Sequence, residues 1–261
     1  MLTKFKSYLK DVLPKPIYFF LRILRNWRDL FSVISFLAED MPNVSLKDKL
    51  RIVKKLYVIT FNIDSEHTQD EILNFIRTIL VLPSEKKGVI VEAGCFKGSS
   101  TAKFSLAADI AKRTLVVFDS FEGIPENDEP HDKNIFGGKA GFTKGDYCGS
   151  FEEVKLNVAK YGNIHCCRFI KGWFDETMHS FKEPIAAAYI DVDLASSTRT
   201  CLKFLYPLLE NGCTLYSQDG HLPLVLDVFS NDQFWLQEVG FKKPTVHGLG
   251  KSKLIKVVKE A

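Results

Sequence analysis

This chain of 261 residues contains no C-x-x-C pair and no G-x-G-x-x-G loop, and nowhere does it run apolar long enough to cross a bilayer. Its six cysteines (Cys95, Cys148, Cys166, Cys167, Cys201 and Cys213) include an adjacent pair on an expected strand. That spacing suits neither a disulfide framework nor a zinc knuckle, so they read as reduced thiols of a cytoplasmic protein. Without G-x-G-x-x-G the chain lacks the usual cradle for a dinucleotide pyrophosphate. An excess of one charge is missing too, with Lys and Arg totalling 35 against 32 Asp and Glu. Seven of those basic residues (Lys4, Lys6, Lys10, Lys15, Arg22, Arg25 and Arg28) fall in the first thirty positions, opposed only by Asp11 and Asp29. The body is therefore near neutral and offers no broad basic face for nucleic acid. Repeats and low-complexity tracts are absent, and 46% hydrophobic with 26% charged residues suits one globular domain carrying an appendage.

The appendage, residues 1–44, is expected to be helical. Ile17, Phe20, Leu24, Trp27, Phe31 and Ile34 recur at helical spacing with the arginines mostly on other faces. Such a basic amphipathic helix (residues 1–38) can lie peripherally on an anionic membrane surface, or pack on the main domain or on a second copy in a homodimer. It is not a secretory signal, because Arg22, Arg25 and Arg28 interrupt the apolar run and no small-residue cleavage site follows.

Beyond it, residues 45–59 and 65–82 read as helices, and the chain then alternates. Strands are expected at 88–94, 114–120, 164–171, 185–192 and 213–218, with helices at 99–112, 150–161, 174–181, 196–210 and 222–239, and late strands near 244–248 and 253–258. Ser150 and Glu153 form a capping-box pattern before the 150–161 helix. Strands that are apolar throughout, such as Ala186-Ala187-Ala188-Tyr189-Ile190, and that alternate with helices imply an α/β fold: a doubly wound, mostly parallel sheet. Residues 121–149, rich in Gly, Asp, Lys and Pro, exceed what a connection needs and read as a lid.

The most informative run is Val89-Ile90-Val91-Glu92-Ala93-Gly94-Cys95-Phe96-Lys97-Gly98-Ser99, answered by Asp119 at the end of Leu115-Val116-Val117-Phe118. It reads as strand, glycine turn, helix and a second strand ending in a carboxylate, the first crevice of a nucleotide-type cofactor site. Glu92 beside the turn would repel a pyrophosphate and welcome a cation, a pattern that suits S-adenosylmethionine, with Asp119 placed for its ribose diol. The alternative is that Gly94 and Gly98 only permit tight packing.

A second constellation closes the later strands. Asp191 and Asp193 end one, and Gln218, Asp219 and His221 end the next. Asp191, Asp219 and Gln218 are three potential oxygen ligands for Mg2+, which would lower the pKa of an acceptor hydroxyl. Asp193 has a second reading as a helix cap, and His221 as an ordinary loop histidine.

These residues resemble the macrocin O-methyltransferase (TylF/MycF-like) family. The likeness spans about residues 70–240 through Val91-Glu92-Ala93-Gly94 with Gly98, Asp119-Ser120-Phe121-Glu122-Gly123-Ile124-Pro125, Gly149-Ser150-Phe151, Lys171-Gly172-Trp173-Phe174, and Asp191-x-Asp193 with Ser197-Thr198. It implies a Rossmann-like class I methyltransferase domain at 45–261. In that domain Glu92, Gly94, Gly98, Ser99, Asp119, Ser120, Phe121, Gly172 and Trp173 serve the cofactor, the last two near the adenine. Asp191, Gln218 and Asp219 serve magnesium, and Asp191, Asp193 or His221 is the catalytic base. Two departures stand out: Gln218 replaces the first of two consecutive aspartates, and Ala195 replaces an aromatic residue. The expected activity is O-methylation of a small-molecule or saccharide acceptor, with no nucleic-acid partner. The competing readings are a nicotinamide-dependent oxidoreductase and a methyltransferase-like scaffold recruited by the basic helix to a membrane-bound assembly.

Overall fold

A computed structural model of the chain describes residues 14–17, 21 and 27–260. The basic start of the expected appendage therefore lies outside the described residues, apart from Lys15. Its end forms helix α1 (Arg28–Ala38), which sinks Val33 and Phe36 into the main core. Asp29 fixes the helix by accepting the Gln69 backbone N–H at 2.9 Å, and Arg77 reaches the Ser32 carbonyl at 2.8 Å. Trp27, Leu30, Phe31 and Ile34 remain exposed on the other side. No described helix is long and apolar enough to cross a membrane.

Helix α2 (Leu46–Asn62) and helix α3 (Gln69–Leu80) both begin at complete capping boxes, Ser45 with Asp48 and Thr68 with Glu71. The second box starts α3 later than the expected Ser65 and leaves 64–67 as loop, with consequences for the site.

Seven strands follow: β1 (Val89–Ala93), β2 (Leu115–Asp119), β3 (Cys167–Lys171), β4 (Ile185–Ile190), β5 (Leu209–Ser217), β6 (Val246–His247) and β7 (Ile255–Val258). They form one sheet in the order β3-β2-β1-β4-β5-β7-β6. The first five are parallel, while β7 runs antiparallel to β5 and β6. Alternation along each strand explains why the strands are apolar throughout. Ile90, Leu115, Val117 and Tyr189 face one buried cluster with α2, α3 and helix α4 (Ser99–Ile110). Val91, Val116, Phe118 and Ile190 face another, shared with helix α6 (Ala195–Leu205) and helix α7 (Pro223–Ser230). Both faces are covered, as a doubly wound sheet requires.

Local departures from the expected elements have identifiable causes. Ile164–Cys166 is a 3-10 turn capped by Asn163, so β3 begins at Cys167. The expected 174–181 helix is α-helical only over Phe174–Thr177, and the 196–210 helix stops at Leu205 because β5 begins at Leu209. The 222–239 helix breaks at Asn231, whose Oδ1 accepts the Phe234 N–H at 2.9 Å and starts a new turn that closes in a π-helix at Trp235–Val239. Before helix α5 (Phe151–Tyr161), Ser150 accepts from Glu153 N at 3.2 Å, which supplies one half of the expected box.

Candidate active site

The carboxyl ends of β1, β2, β3, β4 and β5 border one cavity, walled on its outer side by the 121–149 loop. At the β1 turn, Gly94 has φ +83°, and a Cβ there would lie 1.9 Å from the Asp191 carbonyl oxygen. No side chain fits, so the turn and the end of β4 are brought edge to edge and the two constellations read from sequence become one site. Gly94 N–H donates to Phe118 O at 3.0 Å and Asp191 N–H to Ala93 O at 2.9 Å, locking that approach.

Asp119 organises the first half. Its Oδ2 accepts from Cys95 N and its Oδ1 from Phe121 N, both at 2.7 Å. Burial raises its pKa, opposed by these backbone donors. Gly172 N–H, bonded to Asp119 O at 3.0 Å, brings Trp173 to the same wall. Gly94, Ser99, Asp119, Ser120, Gly172 and Trp173 all line the cavity, as do Asp191, Asp193, Asp219 and His221.

Four of the expected residues do not line it. Gly98 sits in the left-handed conformation beneath Val154 as the N-cap of α4, and Phe121 stacks edge-on against Phe151. Gln218 is buried with its Oε1 accepting the Tyr189 hydroxyl at 2.7 Å. Glu92 is wholly buried, its Oε2 accepting from Thr101 Oγ1 at 2.6 Å. Burial outweighs the hydrogen bonds of Ser100 and Thr101 and lifts its pKa to about 8, so the side chain is predominantly neutral at pH 7. The expected attraction of a cation by Glu92 is therefore not what this position supplies, and acidity in the cavity comes from the aspartates.

The second half is a dense charge cluster. Asp193 has φ +60°, and the N–H groups of Val192 and Asp193 both point at Asp219 Oδ2, each at 3.0 Å. Asp193 does not cap α6. Glu129 does so from the loop, accepting Ala195 N and Ser196 N at 2.8 Å each, which pins the loop over the site. A further tie joins Ile135 N–H to His221 O at 2.9 Å.

The four ionisable groups of this half are pushed apart. Burial would raise Asp191, but the charge and hydrogen bond of His67, 2.9 Å from Oδ2, with Lys253 and His221 behind, hold it below the usual carboxylate range. Burial, then Asp219 and Asp191, push Asp193 well up. Burial and Asp191 lift Asp219 to about 7 against the two backbone donors. Burial and Lys253 push His221 down to about 4, leaving a neutral imidazole.

Sequence reading missed several lining residues. His67 belongs to the 64–67 loop, tied to the glycine turn by Lys97 on Asp64 at 3.1 Å. The Thr68-x-x-Glu71 capping pattern could have ended the helix early enough to free it. Tyr147 comes from the loop and Lys253 from the turn before β7.

The arrangement does not make the expected magnesium site. The Gln218 oxygen is engaged by Tyr189, Asp219 Oδ2 holds two backbone N–H groups, and Asp191 Oδ2 holds His67. Among the described residues no three His, Cys, Asp or Glu side chains converge in a metal-holding set.

An open sheet of this strand order, with its cavity at the carboxyl edge, is the class I methyltransferase fold. Residues 68–222, more than half of the chain, match the model of the family described as Macrocin-O-methyltransferase (TylF), and the chain belongs to that family. It is 31% identical over 144 residues to demethyldecarbamoylnovobiocin O-methyltransferase of Streptomyces niveus, a match covering 51% of this chain and 52% of that protein. It is also 31% identical over 132 residues to mycinamicin III 3''-O-methyltransferase of Micromonospora griseorubida, covering 48% and 52% respectively. The chain thus spans about half the length of these relatives. Among solved structures, the O-methyltransferase NovP superposes with a TM-score of 0.68 at 19% identity, over 82% of this chain and 100% of NovP. The calicheamicin methyltransferase CalS11 gives 0.52 at 18% identity, over 87% and 96%. At those identities the likeness is one of fold.

Proposed function

We propose that this chain transfers the methyl group of S-adenosylmethionine to a hydroxyl oxygen of a sugar or of a glycosylated small molecule. The observation that carries the reading is one continuous cavity with a carboxylate at each end, Asp119 beside the glycine turn and Asp191 at the end of β4. The residues present fit that cofactor: Asp119 lines the cavity beside the Gly94 turn, where a carboxylate suits a cationic ligand without phosphate. Two relatives are named for O-methylation of demethyldecarbamoylnovobiocin and of the 3'' position of mycinamicin III, which supports a hydroxyl of an elaborate small molecule as the acceptor.

When bound, the cofactor supplies an electrophilic methyl group; the rest is work for the chain. Asp119 and Ser120 would hold the ribose, with Trp173 near the adenine. The acceptor would lie on the side of Asp191, under the loop that Glu129 pins through the Ala195 N–H. Asp191, held below the usual carboxylate range by His67, takes the hydroxyl proton. A carboxylate held this low is a weak base, so alignment of the acceptor in the closed cavity contributes most. No step is routed through magnesium, because the residues do not fit it.

The test is incubation of the full chain with S-adenosylmethionine and a panel of nucleotide sugars, macrolide glycosides and aminocoumarin glycosides. A product heavier by one CH₂ on a sugar hydroxyl is the expected result. Cofactor binding without any methylated product across the panel would favour a scaffold, and no binding would overturn the reading.

A further inference from the structure

We propose that Lys253 is the resident cation of this reaction centre: its ammonium group, in place of a bound divalent ion, neutralises the Asp191, Asp193 and Asp219 cluster and holds the acceptor oxygen during transfer. This rests on the methyltransferase reading and deepens it.

Lys253 is built into the site by the sheet. In the antiparallel β5–β7 pair Ile255 sits opposite Ser217, so the residue two places before it arrives beside the turn that carries Gln218 and Asp219. There the Lys253 carbonyl accepts the Gly220 N–H at 2.9 Å. A Cβ on Gly220 would lie 2.4 Å from Ile255 Cγ2, 2.8 Å from Ser252 O and 2.9 Å from Lys253 O. Glycine is what lets the two turns seat so closely.

The side chain lines the same cavity as the three aspartates. The donor set points the same way. A neutral amide stands at 218 with its oxygen turned to Tyr189, and Asp219 spends one oxygen on two backbone donors. With a neutral amide at 218 and an ammonium group lining the same cavity, the cluster carries its own counter-charge.

Chemically, an ammonium group is a point charge with three donors, suited to oxygen ligands that vary in direction. As the acceptor O–H bond breaks, its proton passes to the Asp191 carboxylate. The O–CH₃ bond forms while the S–CH₃ bond breaks, and that electron pair stays on sulfur, giving the neutral thioether of S-adenosylhomocysteine. Lys253 stabilises the negative charge that develops on the acceptor oxygen between those events.

The first measurement is a titration of the full chain with Mn²⁺ alone, read by electron paramagnetic resonance. The wild type is expected to bind no tighter than roughly millimolar, and the double variant Lys253→Met, Gln218→Asp at least about tenfold tighter. Saturable micromolar binding by the wild type, or no gain in the double variant, would overturn the assignment. If Lys253→Met does not fold, Lys253→Gln with Gln218→Asp is judged by the same criterion.

The second measurement follows methyl transfer to any responding acceptor. The wild-type rate is expected to survive EDTA, while Lys253→Met loses about 100-fold in kcat and Lys253→Arg regains part of it. Activity abolished by EDTA and restored by Mg²⁺ would overturn the proposal. Calorimetry with S-adenosylhomocysteine separates the two levels: wild type that fails to bind it sinks the methyltransferase reading, whereas binding alongside a micromolar Mn²⁺ site sinks only the role of Lys253.

Discussion

The two ends of the cavity use aspartate in opposite ways. At the β1–β2 end, Asp119 spends both oxygens on backbone N–H groups, so the carboxylate is a structural clamp that also faces the cavity. At the β4–β5 end three aspartates share one wall with His67, His221 and Lys253, and burial together with neighbouring charge sets the ionisation of each. A clamp can position a cofactor without titrating. A charge cluster can move a proton. The difference divides the labour of the site between binding at one end and chemistry at the other.

Substitutions at each end sharpen that division. Asp191→Asn keeps the size of the side chain and removes its charge, so turnover should fall about 10²–10⁴-fold while affinity for S-adenosylhomocysteine stays within about threefold. Steady-state kinetics with calorimetry would show whether the loss is confined to the rate. Asp119→Asn replaces one of two charged acceptors by a donor facing an N–H group. Cofactor affinity should drop about tenfold or more, with about 1–3 kcal/mol of stability lost in denaturant unfolding.

Glu129→Ala should cost about 1 kcal/mol by uncapping α6 and raise the KM for the acceptor, since the loop loses its anchor. Burial would raise the Glu129 pKa, but the Ser196, Ala195 and His131 hydrogen bonds win and depress it. The stabilisation it gives is therefore present above the ordinary glutamate pKa and lost as pH falls through the lower folded value. Urea titrations from pH 7 to pH 3 should show the wild type converging on the variant in acid.

Glu92→Gln should have the smallest effect, leaving cofactor affinity within about twofold. A folded pKa of about 8 means that the folded state holds a proton the unfolded chain releases near pH 4.5, so wild-type stability falls as pH rises between those values. The thermal advantage of Glu92→Gln should accordingly grow from pH 5 to pH 8. A tenfold loss of cofactor binding in this variant would restore Glu92 to the binding end and break the comparison.

Much of this was legible in the sequence because it is local. Alternating strands and helices gave the parallel sheet, and acids at strand ends fall on the functional edge by topology, which is why Asp119, Asp191, Asp193 and Asp219 meet. Glu92 was misread although its parity was available: two residues from Ile90 on the same strand, it shares that residue's face, under α4 and against Thr101. His67, Lys253 and the Glu129 cap were not legible, because tertiary packing brings them in. Glu129 caps a helix 66 residues later in the chain, and Lys253 enters through strand pairing at the far end of the sheet. Nothing in local spacing records such contacts.

The division of labour is tested most directly by calorimetric titration of S-adenosylhomocysteine into Asp119→Asn and Asp191→Asn side by side, which needs no knowledge of the acceptor. Weakening of about tenfold or more in the first, with the second within about threefold of wild type, is the result expected. Equal losses in both would contradict it.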